Sequence, residues 1–284
     1  MPGESIGVIG CGTMGAGIVE VCARAGLQVA VVDQDLEVLE SGRDRIRASL
    51  ERARTARKLE GDPGKIMSRI SFSSDLKHLV SASMIFEAII EEENSKRELF
   101  TTLAEVLTDP DTVLATNTSS IPIMKLAAQT TNPGNVIGIH FFNPVPVMSL
   151  VELVPSLLTD EATIRRAEAF VSETLGKNVI RSQDRAGFVV NALLIPYLLS
   201  AIRMVESGFA SSEDIDTGMI EGCRHPMGPL ALADLIGLDT VMAVSESLYE
   251  EFREAHYSPP PLLSRMVQAG LTGRKAGRGF YDYG

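Results

Sequence analysis

Gly10-Cys11-Gly12-Thr13-Met14-Gly15, a G-x-G-x-x-G set between two apolar runs, leaves very few architectures open to the first part of this chain. Ile6-Gly7-Val8-Ile9 ahead of it reads as a buried strand. Met14 to Ala25 behind it is small and apolar and reads as a helix that Gly26 ends. Gln28-Val29-Ala30-Val31-Val32 then forms a second strand, closed by Asp33. In such a unit the first glycine makes a tight turn, the second lets backbone approach a pyrophosphate, and the third lets helix and strand pack closely. The helix N-terminus aims its N–H groups at the phosphates. A glycine turn without a ligand uses the same letters, so the context decides. Asp33 lies eighteen residues beyond Gly15. A carboxylate there accepts hydrogen bonds from the adenosine ribose and repels a 2′-phosphate, which favours NAD over NADP. Gly10, Gly12, Thr13, Met14, Gly15 and Asp33 are the expected cofactor contacts.

Further strands are expected at 84–88, 112–116, 136–141, 152–154 and 178–181, several of them separated by helical stretches, and a long helical pattern covers 36–58. Alternation of this kind predicts an α/β fold, a Rossmann-type, mostly parallel sheet with helices on both faces. After about residue 183 the pattern becomes helical throughout, at 188–207, 212–221, 230–251 and 261–269. We therefore expect a sheet domain over 1–183 and an all-helical C-terminal domain over 184–284, a division that 284 residues accommodate. The 26 basic against 37 acidic residues, net −11, repel phosphate backbones and argue against a nucleic-acid binder. Three cysteines without C-x-x-C spacing fit neither a disulfide framework nor a zinc site and point to a reducing, cytoplasmic compartment. The opening residues lack a basic-then-apolar leader. The charge-free stretch 186–202 contains Asn191, Pro196 and Ser200 and is short for a bilayer span, so a buried helix is expected and no membrane association.

Of the four histidines, His140 alone directly follows an apolar strand, Val136-Ile137-Gly138-Ile139. Strand ends face the ligand crevice in open α/β sheets. Hydride transfer from an alcohol to NAD needs a base for the hydroxyl proton, and imidazole titrates in the useful range. Glu152 opens the next apolar run, across the turn-forming Asn143-Pro144-Val145-Pro146. If the two runs are neighbouring strands, the carboxylate orients the imidazole; otherwise His140 is a strand-end histidine bonded to backbone. His225, in Cys223-Arg224-His225-Pro226-Met227-Gly228-Pro229, reads as a loop and cap residue, and His78 and His256 lie in polar contexts. Asn117-Thr118-Ser119-Ser120 follows another strand end, where its polar groups reach the crevice or cap the helix after Pro122. Arg43, Arg45, Arg47, Arg52, Arg54, Arg57 and Lys58 face only Asp44 and Glu51 within 43–58. That segment is either a solvated helix face or a holder for a polyanionic handle such as coenzyme A.

His140-Phe141-Phe142-Asn143-Pro144-Val145-Pro146-Val147-Met148 resembles the signature around the catalytic histidine of the L-3-hydroxyacyl-CoA dehydrogenases. Asn117-Thr118-Ser119-Ser120, Glu87-Ala88-Ile89-Ile90-Glu91, Asp184-Arg185-Ala186-Gly187-Phe188-Val189-Val190-Asn191, His225-Pro226-Met227-Gly228-Pro229 and Gly277-Arg278-Gly279-Phe280-Tyr281 match the same family in order. The compact length is similar to the bacterial monofunctional 3-hydroxybutyryl-CoA dehydrogenases. The resemblance implies His140 as acid/base with Glu152 as its partner, and Ser119 and Asn191 as hydrogen-bonding groups at the substrate oxygen and nicotinamide. It implies Glu91, Lys96, Asn117, Asn143 and Lys275 as NAD contacts, Ser49 with Arg57 or Lys58 as the coenzyme A site, and a homodimer through the helical domain. Ala192 and Ser200 depart from the family pattern, which leaves chain-length preference open. Rival readings are the same chemistry on an acyl-carrier-protein thioester or a free 3-hydroxy sugar acid, a reductase role in butyrate or polyester metabolism, and an NAD-binding protein without turnover.

Overall fold

Parallel strands covered on both faces read as unbroken apolar runs, and five of the runs here are buried almost end to end. They are β1 (Ser5–Ile9), β2 (Gln28–Val32), β4 (Met84–Glu87), β5 (Val113–Thr116) and β6 (Val136–Phe141). The computed structural model describes residues 5–284; the first four, on which the reading of a missing leader partly rests, lie outside the described residues. With β3 (Ile70–Ser73), β7 (Leu150–Pro155) and β8 (Asn178–Arg181) the strands form one eight-stranded sheet in the order β3-β2-β1-β4-β5-β6-β7-β8. Every neighbouring pair is parallel except β6 and β7. The strand order reverses between β1 and β4, which opens a crevice beyond their carboxyl ends.

The helices of this unit are α1 (Thr13–Arg24), α2 (Leu36–Thr55), α3 (Pro63–Met67), α4 (Glu93–Val106), α5 (Ile123–Ala127) and α6 (Glu161–Ala169). Their apolar faces join the strands in one core that includes Ile18, Val19, Leu39, Ile46, Phe86 and Ile139. Three local features differ from the sequence reading. Strand β3 was not expected, because Ile-Ser-Phe-Ser alternates over only four residues at a half-buried sheet edge. Helix α2 stops at Thr55 rather than Lys58: Arg57 takes a left-handed φ of 55°, and Lys58 N–H reaches back to the Ala53 carbonyl in a Schellman-type closure. The pattern over 230–251 is two helices, because Gly237 has a φ of 102° that no α-helix continues through.

The chain divides into two compact units after Arg185. The second holds α7 (Val190–Glu206), α8 (Ser212–Thr217), α9 (Pro229–Ile236), α10 (Leu238–Phe252) and α11 (Pro261–Gln268) around Leu198, Leu199, Ile202, Leu230, Val241 and Leu248. Two buried aspartates organise it. Asp216 caps α9 by accepting from Leu230 N–H (2.8 Å) and Ala231 N–H (2.9 Å), and it also accepts from the Tyr281 hydroxyl (2.9 Å). Asp234 accepts from Phe280 N–H and Tyr281 N–H, both at 3.0 Å, and from the Tyr283 hydroxyl at 3.1 Å. The closing Gly-Arg-Gly-Phe-Tyr segment is thus tied to α9. No helix among the described residues is long and apolar enough to cross a membrane.

Gly42 fixes the approach of α2 to the glycine loop, since a Cβ there would stand 2.2 Å from the Cys11 sulfur and 2.5 Å from its carbonyl oxygen. Helix propensity alone would make Gly42→Ala stabilising by about 1 kcal/mol. The clash should outweigh that and leave a net loss of about 1–3 kcal/mol in urea unfolding. An unchanged or raised midpoint would show that the helix can simply move away.

Candidate active site

The site starts from a register. In the antiparallel β6–β7 pair His140 stands directly opposite Glu152, so both side chains leave the same face of the sheet. Nδ1 of His140 lies 2.7 Å from Oε2 of Glu152, with His140 4 % and Glu152 0 % exposed. With Nδ1 bonded to the carboxylate, Nε2 is the nitrogen turned to chemistry, and it lies 3.1 Å from the Ser119 hydroxyl. The Phe142 ring meets the imidazole edge-on at 4.7 Å between centroids.

Ser119 sits on the loop after β5, and that loop is held at both ends and in the middle. At its start Asn117 Oδ1 accepts from Phe141 N–H (2.8 Å), joining the ends of β5 and β6. In the middle one oxygen of Glu91 gathers four donors: Thr118 Oγ1 (2.5 Å), Ser119 N–H (2.8 Å), Ser120 N–H (3.1 Å) and Ser120 Oγ (3.1 Å). At its end the N-terminus of α5 is capped by Asp184, which accepts from Ile123 N–H (2.7 Å) and Met124 N–H (2.8 Å). Capping of α5 therefore falls to a residue sixty positions away, while Thr118 Oγ1 accepts from Ser120 N–H (3.3 Å) and Ile121 N–H (2.9 Å) inside the loop and the Ser119 hydroxyl is the group of 117–120 that meets His140.

The other Glu91 oxygen lies 3.2 Å from the Lys96 ammonium. Lys96 is only 1 % exposed and also pairs with Glu87 at 2.6 Å, so its ammonium lies between two carboxylates beneath the surface of the crevice. Burial alone would raise the Glu91 carboxyl, but Lys96 together with the Thr118 and Ser119 hydrogen bonds brings it below the ordinary glutamate value.

The glycine loop separates two kinds of constraint. Gly10 has a φ of 91° and a Cβ there would stand 2.5 Å from the Ala88 carbonyl; one at Gly15 would stand 1.8 Å from the Gly10 carbonyl. At Gly12 a Cβ would meet nothing within 4 Å. That open space at the start of α1, beside Thr13 and Met14, is what a pyrophosphate requires, so the residues present fit NAD. Half-buried Asp33 accepts from Cys11 N–H (2.9 Å) and Asp35 N–H (3.1 Å), which stiffens the loop at the end of β2. Burial, followed by Asp33, pushes the Cys11 thiol up to about 11, so it is no nucleophile.

The carboxyl ends of β1, β2, β4, β5 and β6 thus carry the glycine loop, Asp33, Glu91, Asn117, Ser119 and His140 on one edge of the sheet. Exposed Asn143 follows β6, and Lys96 lies beneath Glu91. Ser49 is half-buried on α2, while Arg57 and Lys58 are exposed in the turn beyond it. Asn191 opens α7, and Lys275 pairs with Asp239 at 2.5 Å; both belong to the second unit. There His225 meets the Tyr197 hydroxyl at 3.2 Å. Sequence reasoning gave no role of their own to Glu87 or Asp184, which stood only within family strings, and took Thr118 only as one polar group of the 117–120 run. The one available signal was a charged residue closing a buried strand, at Glu87.

The family profile described as 3-hydroxyacyl-CoA dehydrogenase, NAD binding domain, matches residues 5–185, and that of the C-terminal domain matches 187–283. The chain is 55 % identical over 281 residues to a 3-hydroxybutyryl-CoA dehydrogenase of Mycobacterium tuberculosis, covering 99 % of this chain and 98 % of that protein. The crystal structure of M. tuberculosis FadB2 superposes with a TM-score of 0.97 at 55 % identity, covering 98 % of each chain. That of (S)-3-hydroxybutyryl-CoA dehydrogenase PaaH1 from Ralstonia eutropha gives 0.93 at 42 % identity, covering 99 % of each.

Gly12→Ala should leave the unfolding midpoint in place, because nothing in the protein opposes the methyl. It should weaken NAD by at least about tenfold in a calorimetric titration; unchanged affinity would place the pyrophosphate elsewhere. A second expectation concerns acid. The Glu91 value lies lower in the folded than in the unfolded chain, so its contribution is complete above the unfolded value of about 4.3 and is lost as pH falls through the folded value. The stability gap between parent and Glu91→Gln, followed by urea unfolding, should therefore begin to narrow below about pH 4 and shrink further as the pH falls. A gap unchanged at lower pH would show that the carboxylate charge is not its source.

Proposed function

The chain belongs to the 3-hydroxyacyl-CoA dehydrogenase family of NAD-dependent oxidoreductases, and from that premise we propose that it interconverts short-chain (S)-3-hydroxyacyl-CoA, 3-hydroxybutyryl-CoA foremost, and the 3-oxoacyl-CoA. The observation that carries the reading is the imidazole bonded through Nδ1 to buried Glu152 with Nε2 beside the Ser119 hydroxyl. The two relatives named as 3-hydroxybutyryl-CoA dehydrogenases support the short chain.

NAD, when bound, supplies the acceptor for the hydride leaving C3; Gly10, Gly12, Thr13, Met14, Gly15, Asp33, Glu91 and Asn117 would hold it. His140 takes the C3 hydroxyl proton at Nε2. Glu152 holds the ring so that Nε2 faces the substrate, and its charge stabilises the imidazolium that forms. In the reductive direction His140 returns that proton to the developing alkoxide. The Ser119 hydroxyl donates to the same oxygen, and a donor aimed at developing charge contributes about 3–4 kcal/mol in comparable sites. Family resemblance assigns Asn191, Asn143 and Lys275 to the same reaction. Ser49, Arg57 and Lys58 are assigned to the coenzyme A phosphates, which the other cations of 43–58 steer inward. On the same footing the uncharged stretch 186–202 serves a homodimer. Three free thiols, Cys11, Cys22 and Cys223, support a cytoplasmic setting.

The test is NADH oxidation with acetoacetyl-CoA, run beside NADPH and beside free acetoacetate. Turnover should require NADH and the thioester. Turnover with free acetoacetate would return the substrate to a free 3-hydroxy acid, and equal turnover with NADPH would remove the role given to Asp33. His140→Ala should lower kcat by about a hundredfold to ten-thousandfold and leave NAD affinity near parental. Parental turnover in that variant would end the acid/base assignment.

A further inference from the structure

Glu87 closes β4 with its side chain 1 % exposed, beside Thr116 on the neighbouring strand. It bonds to three groups. Oε1 accepts from Ile89 N–H (2.8 Å) and the Lys96 ammonium (2.6 Å), and Oε2 accepts from the Thr116 hydroxyl (2.5 Å). Beyond Lys96 the chain of contacts continues to Glu91, from Glu91 to the Ser119 backbone, and from the Ser119 hydroxyl to His140 Nε2.

We propose that Glu87 is a positioning residue for proton transfer: it anchors Lys96, Lys96 fixes the orientation of Glu91, and Glu91 holds Ser119 against His140. This inference rests on the reading of Ser119 and His140 given above.

Three physical points support it. A buried ion pair is a poor source of stability, because the desolvation of two charges consumes the attraction between them, and an uncharged pair of the same shape serves a core as well. A charged pair sealed beneath the crevice therefore calls for a use other than holding β4 to α4. Glu91, second, has its side chain 39 % exposed and on its own would sample several rotamers. Its grip on four donors requires one oxygen aimed at the loop, and the ammonium on the other oxygen selects that orientation. Third, the lysine stem is long and flexible and does not place its own ammonium. Glu87, rooted in the sheet and locked by Thr116 and Ile89 N–H, does that.

The experiment compares kcat for acetoacetyl-CoA reduction by NADH in the parent, Glu87→Gln, Ser119→Ala and the double variant. A glutamine can face its oxygen to Ile89 N–H and Lys96 and its amide to Thr116, whose hydroxyl then accepts instead of donating, so all three contacts are kept while the charge is removed. Glu87→Gln should lower kcat on the order of tenfold, with KM for both substrates little changed. In the Ser119→Ala background the same substitution should cost almost nothing more, since the group being positioned is already gone. Parental turnover in Glu87→Gln, or a loss of equal size in both backgrounds, overturns the inference while leaving a slow Ser119→Ala to support the site. Parental turnover in Ser119→Ala overturns the site reading and this inference together. Glu87→Gln with Lys96→Met provides a neutral pair should the single variant fold poorly. It should keep the parental far-UV circular dichroism yet remain slow, and parental turnover from that pair would show that no relay exists.

Discussion

Glu152 faces His140 because β7 runs back along β6 with those two residues opposite each other, and the rest of the crevice is arranged around that pairing. Ile139 and Phe141 on one strand and Val151 and Leu153 on the other lie in the core on the opposite face. A slip of one residue would carry Glu152 into that core and take the apolar set out of it, so packing across the whole sheet enforces the contact between two polar atoms. The connection between the strands is held as well: the Lys177 ammonium donates to the carbonyls of Val145 (2.8 Å) and Met148 (2.6 Å). Burial, with Arg24 nearby, pulls that ammonium below the usual lysine range, the mark of a cation used as a clasp rather than a solvated surface charge.

Charge is distributed in two ways. Beneath the crevice Glu87, Lys96, Glu152 and His140 are almost wholly enclosed and each is bonded to a neighbour, so low dielectric strengthens their contacts and fixes their geometry. Along α2 the cations are exposed, and their ion pairs with Asp44 (3.3 Å) and Glu51 (2.7 Å) lie on the surface. Pairs of that kind contribute at most about 1 kcal/mol and are screened by salt. The ion pairs of the basic segment thus add little stability, and the steering role proposed for its cations would suit a protein whose overall charge of −11 otherwise repels an anionic substrate.

Legibility in the sequence followed the range of the contacts. The glycine loop, Asp33 and the position of His140 at a strand end are local, and local pattern reveals them. The link to Glu152 needed one further fact, the direction of β7, which the sequence left conditional. Glu91, Lys96 and Ser119 were reached through family strings, but the use of Lys96 was hidden, because nothing in a helical lysine announces burial between two carboxylates. Asp184 and Ile123 are sixty-one positions apart and meet only once the sheet is assembled. The same limit explains the long helical pattern over 230–251: its apolar spacing is intact across Gly237, and only the backbone angle there shows the break.

The glycine motif shows why a fold signal and a ligand signal are easily confused. Gly10 and Gly15 are demanded by the protein itself, since a methyl at either would overlap a carbonyl oxygen, whereas Gly12 faces open space. Of the three, only the middle glycine leaves room for the proposed pyrophosphate. Asp33 is divided in the same manner. Each of its oxygens already accepts one backbone N–H, from Cys11 and from Asp35, which is a folding role. A carboxylate oxygen has two lone pairs, so one acceptor position on each remains for a ribose diol without disturbing the loop. A 2′-phosphate would meet that same charge at contact distance in a half-buried site, where water screens it poorly. On the proposed reading, the residue that shapes the loop would also select the dinucleotide.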